Sequence, residues 1–107
     1  MVNPYTGEGA LRIGSETLAL KLTLGALAEL ETVLQDGSLL ALVERFEAGR
    51  CSARDISAVL LAGLRGGWHK LSAGELAEAD IVGGPLAAAR VAAELLARAF
   101  SVPDASA

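Results

Sequence analysis

The chain is short of almost everything that chemistry at a site requires. Among its 107 residues there is one cysteine and one histidine, Cys51 and His69. A single cysteine excludes an internal disulfide, and one Cys with one His cannot form a four-ligand structural zinc site within one chain. Aromatic residues make up only 4%, and the nine Lys and Arg residues are scattered without a run. Affinity for nucleic acid comes largely from clustered bases that neutralise phosphates. With thirteen acids and a formal charge of −4, direct binding to DNA or RNA is not expected. An anionic membrane surface is disfavoured for the same reason. No run of about 18 uncharged apolar residues could span a bilayer. Met1-Val2-Asn3-Pro4 has neither the basic nor the apolar region of a secretory signal, so the expected location is the cytoplasm.

What is abundant is apolar and helix-forming. Hydrophobic residues reach 52%, with a mean hydropathy of +0.45. The 21 alanines and 19 leucines are strong helix formers. A chain of this mass buries about 65% of its unfolded surface, enough for one domain with its own core.

The hydrophobic pattern predicts an α+β fold that is mostly α, with an N-terminal β-hairpin packed on about five helices. Leu11 and Ile13 alternate with Ala10 and Arg12, and Leu18, Leu20 and Leu22 alternate with Ala19 and Lys21. Gly14-Ser15 between them fits a two-residue type II′ turn. That turn pairs Leu11 with Leu18 and places every apolar residue of the hairpin, residues 8–22, on one face; a one-residue slip would put the two apolar sets on opposite faces.

Helices are expected at about 24–35, 39–48, 53–65, 73–80 and 85–100. Thr23, Ser38, Ser52 and Ser72 are the N-cap candidates, with capping boxes at Ser52-x-x-Asp55 and Ser72-x-x-Glu75. Gly49, Gly66-Gly67 and Gly83-Gly84 punctuate them, and Pro85 suits a first helical position. The spacing assigns Leu24, Leu27, Leu30, Leu42, Phe46, Ile56, Val59, Leu60, Leu64, Leu96 and Phe100 to the core.

No constellation of catalytic, cofactor-binding or metal-ligating residues emerges. His69 has no nucleophile motif around it and reads as a loop residue; Cys51 reads as a small, partly buried side chain. Asp55, Glu75 and Glu78 have cap or first-turn roles. Gly63-Leu64-Arg65-Gly66-Gly67 closes a helix, whereas a phosphate loop opens one. Non-enzymatic function, with no cofactor and no metal, is the expectation.

Three residues are instead candidates for partner binding. Trp68, an indole in a glycine-rich loop, either covers the edge of the core or anchors a partner. Val91 and Leu95 fall in the fifth helix, where Leu86, Ala89, Ala93, Leu96, Ala97 and Phe100 form one apolar stripe and Ala88, Val91, Leu95 and Ala99 a second. A terminal helix needs one stripe for its own core. The second is therefore expected to face another subunit or a helical partner, the alternative being burial of both within one chain.

The Gly7-Glu8 entry to the hairpin, the run LKLTLGALAELE from Leu20 to Glu31 and the segment SARDISAVLLAGLRGG from Ser52 to Gly67 carry a resemblance. In that order and spacing the chain resembles the small tail protein family of gene transfer agents and long-tailed phages. That family is grouped with tail-assembly chaperones and is also labelled tail tube protein. The resemblance implies a bacterial or prophage protein of tail morphogenesis, acting in the cytoplasm or associated with the particle. Its implied partners are the tape-measure and tail tube proteins, with a homo-oligomer as a further option. The preferred role is that of a chaperone keeping the tape measure soluble; the alternative is a structural tail tube component. A small DNA-binding regulator built on a helix-turn-helix is a third option, opposed by Glu75, Glu78 and Asp80 on the helix that would read DNA.

Overall fold

The computed structural model describes residues 8–34 and 38–100. Two antiparallel strands, β1 (Glu8–Ile13) and β2 (Glu16–Lys21), are followed by five helices: α1 (Leu24–Val33), α2 (Leu39–Glu47), α3 (Ala53–Gly66), α4 (Ala73–Glu78) and α5 (Gly84–Phe100). This is the α+β arrangement that the sequence predicts. The ends of the predicted first and fourth helices shorten, and Gln35 lies outside the described residues.

The hairpin has the expected register, with Leu11 opposite Leu18 and Gly9 opposite Leu20. Gly14 sits at φ +59 while Ser15 has no positive φ, as a type II′ turn requires. Leu11, Leu20 and Leu22 are buried, and Leu18 and Ile13 pack against the core. The turn end of the outer edge of β1 is covered by the segment linking α4 to α5: Val82 N–H donates to the Arg12 carbonyl (2.9 Å) and Gly14 N–H to that of Asp80 (3.0 Å). Covering an edge in this way removes a template for unwanted strand pairing.

The expected caps form. The side chains of Thr23, Ser38, Ser52 and Ser72 accept from the backbone N–H of Ala26, Ala41, Asp55 and Glu75, and both capping boxes are complete. Asp55 does more than cap. Its carboxylate accepts from the Ser52 backbone N–H and from Arg45 of α2, with Nε at 3.0 Å and Nη2 at 3.1 Å. Burial alone would raise the Asp55 pKa, but these donors outweigh it, and the Arg45 charge helps hold the carboxyl below its usual range.

α3 is the hub, packed against β2, α1, α4 and α5. Its contact with the hairpin depends on missing side chains. A Cβ at Gly66 or Gly67 would collide with the backbone carbonyl of Lys21 or Ala19. A Cβ at Gly63 would sit 3.0 Å from Leu95 Cδ1 and 3.3 Å from Leu20 Cβ.

α5 corrects the sequence reading. Ala88, Ala92, Leu95 and Leu96 are buried and Val91 and Ala99 pack against the core, so the stripe expected to face a partner faces inward. Leu95 is fully buried, and a Cβ built on Gly9 would lie 3.0 Å from its Cδ2. Leu86, at 72% exposure, and Phe100 point largely outward instead. The terminal helix is central because glycines on β1 and α3 make room for Leu95. Leu24 is a second correction: expected in the core, it is 85% exposed, while Ala26 and Leu30 bury the α1 face. Leu30, Leu42, Val59, Leu60, Leu64 and Leu96 are buried as expected; Leu27, Phe46 and Ile56 are half-buried and packed on that core.

Leu95→Ala is expected to cost about 2–5 kcal/mol in urea unfolding. A Val91→Glu, Leu95→Lys double variant should lose its helical circular dichroism, because it places charges among buried apolar side chains. The Asp55 interactions stabilise the fold above its unfolded pKa of about 3.9 and are lost as pH falls through the depressed folded value. The urea midpoint should therefore drop on acidification below about pH 4, and Asp55→Asn should lower it at pH 7 while flattening the acid limb.

Candidate partner-binding site

Of the three residues singled out in the sequence, the structure leaves only Trp68 available to a partner. Val91 is half-buried against the core and Leu95 is wholly within it. Trp68 is 93% exposed, the highest value among the exposed large apolar side chains of the described residues.

The local backbone explains how it comes to be there. After α3, Trp68 N–H donates to the Arg65 carbonyl (3.0 Å) and His69 N–H to that of Leu64 (2.8 Å). This pair of bonds is a Schellman motif, which needs one residue in the left-handed region. α2 ends in the same way, with Gly49 at φ +70. At the end of α3, however, Gly67 remains at φ −89 and Trp68 takes φ +68. Trp68 is the only non-glycine residue with positive φ among those described. The Gly66-Gly67 pair, expected to supply the helix stop, is used for contact with the β2 backbone, and the left-handed position falls one residue later. A bulky side chain there costs about 1–2 kcal/mol. The exposed indole recovers little of this through packing.

Trp68 borders a hollow of about 250 Å³ together with Thr23, Gly25, Ala26, Glu29 and Arg65. Leu24 lies between two of these lining residues at the start of α1. With Trp68 it is one of the two most exposed large apolar side chains described. Across the hollow, Arg65 Nη1 meets Glu29 Oε2 at 2.6 Å, an exposed pair that orients α1 against the end of α3 but adds little stability. The site thus presents an exposed indole beside a neutralised ion pair, a surface suited to burying a partner's apolar residues. Sequence spacing missed Leu24 because an exposed first helical position continues the same three-and-four pattern as the core leucines.

The polar residues weighed in the sequence do not join this site. His69 lines a separate hollow with Lys70, Glu16 and Leu18, and Cys51 is a free, partly buried thiol. No group of three metal-binding side chains occurs among the described residues.

Trp68→Gly is expected to raise the free energy of unfolding by about 0.5–1 kcal/mol, since glycine relieves the left-handed backbone. Trp68→Ala keeps the Cβ and should remain within about 0.5 kcal/mol of the parent chain. Urea midpoints of the three proteins check both values; a marked loss of stability in the glycine variant would show that the indole supports the fold.

Comparison with known proteins finds no match among curated proteins and none among solved structures. A family model described as phage tail tube protein, GTA-gp10, matches residues 6–102. That span takes in both strands and all five helices, and the chain belongs to the GTA-gp10 phage tail tube family.

Proposed function

We propose that this phage-tail protein is a non-enzymatic tail-assembly chaperone, which binds the tape-measure protein through the surface around Trp68. The observation that carries the reading is the exposed indole on a left-handed backbone. A position that costs stability and contributes little to the core is accounted for by a contact outside the monomer. Aromatic anchors of this kind dominate binding energy at interfaces. In this reading the chain acts in the bacterial cytoplasm on partners drawn from the tail proteins, before tube subunits close around the tape measure.

A second reading, a structural component of the tail tube, is favoured by the family's own description. Against it stands the small sheet. The described residues form two strands of six residues each. The β1 edge is bridged by Ile81, and the end of α3 lies on the carbonyls of Ala19 and Lys21 in β2. Both strand edges are therefore partly taken, which limits their use for joining subunits through continuous sheets.

Co-expression with the tape-measure and tail tube proteins of the same gene cluster separates the two readings. The chaperone reading expects a soluble complex with the tape measure on size exclusion, and mass spectrometry of purified particles without the chain. Trp68→Ala should weaken that complex by about thirtyfold, the effect of losing a 2 kcal/mol anchor, with the fold intact. Stoichiometric presence in finished tails would establish the tube reading instead.

A further inference from the structure

Three of the chain's nine bases, Arg45, Arg50 and Arg54, border a single hollow of about 540 Å³. It lies where the C-terminal ends of α1 and α2 meet the first turn of α3. Asp55 is the one acid lining it among the described residues, and both its oxygens are engaged by Arg45. Arg50 and Arg54 are exposed and form no ion pair among the described residues. The described residues lining the hollow therefore carry two positive charges in excess, on a chain whose formal charge is −4. Its wall is apolar, with Leu34 half-buried and Val33 60% exposed.

We propose that this hollow docks an acidic segment of a partner protein, one that carries two or more carboxylates beside an aliphatic side chain. Planar guanidinium groups match carboxylates through paired hydrogen bonds. Val33 and Leu34 supply the surface for the aliphatic neighbour. Nucleic acid fits less well: the six remaining bases lie elsewhere on the chain rather than lining this hollow, and the net negative charge repels a duplex. The site goes beyond the chaperone reading and rests on neither Trp68 nor the family. It lies at the opposite end of α3 from Trp68, about 20 Å away by helix rise.

The test is fluorescence anisotropy on the full chain with a labelled peptide of about twelve residues, in which glutamates alternate with leucine and serine. Binding is expected in the range of tens of micromolar at about 50 mM salt, weakening by about fivefold or more at 300 mM as the charges are screened. An Arg50→Glu, Arg54→Glu variant should weaken it by about tenfold with an unchanged urea midpoint. Arg50→Gln, Arg54→Gln gives the same reading if the charge reversal disturbs folding, and Trp68→Ala should leave peptide binding as it is. The proposal is overturned if the glutamine counterpart of the peptide binds equally well, if the arginine variants retain full binding, or if a 20-base-pair duplex binds in preference. It is likewise overturned if the arginine variants change only self-association by light scattering, which would assign the hollow to a second copy of this chain.

Discussion

The fold depends on one close approach. Leu95 of α5 enters a notch between β1 and α3 that exists because residues 9 and 63 lack side chains. Placing a leucine there brings the last helix against the first strand and makes α5 central rather than peripheral. Leu20 borders the same notch from β2, so hairpin, hub helix and terminal helix share one contact region. An isolated two-stranded hairpin is barely stable in water; here its apolar face is held by the two longest helices.

Around that core, polar interactions fix the directions of the elements more than they add stability. The capping boxes start α3 and α4 at defined residues, and the Arg45–Asp55 pair ties the end of α2 to the start of α3. Asp55 satisfies three donors at a site only 12% exposed, where an unpaired carboxylate would be costly. The Glu29–Arg65 pair lies near the other end of α3, exposed and weaker.

The two ends of α3 consequently differ in chemistry. One presents an indole beside a neutralised ion pair; the other presents arginines beside Val33 and Leu34. Both are suited to contact with other proteins, in keeping with a family whose members belong to phage tails.

The sequence alone determined what is local. The hairpin register followed from alternation and a two-residue turn, and the helix starts from Ser and Thr caps, those at Ser52 and Ser72 with acids three residues on, because these interactions span only a few residues. The phases of α1 and α5 were decided by tertiary structure. In helices rich in alanine and leucine, several faces are apolar enough to be buried, and hydropathy does not choose among them. The choice came from shape: absent side chains at Gly9 and Gly63 admit Leu95, so Ala88, Ala92 and Leu96 turn inward with it while Leu86 turns out. The site divides in the same way. Trp68 was visible as an isolated aromatic residue in a glycine-rich loop. Its left-handed backbone was not, because Gly66-Gly67 looked sufficient to end the helix until packing against the carbonyls of Ala19 and Lys21 committed both glycines elsewhere.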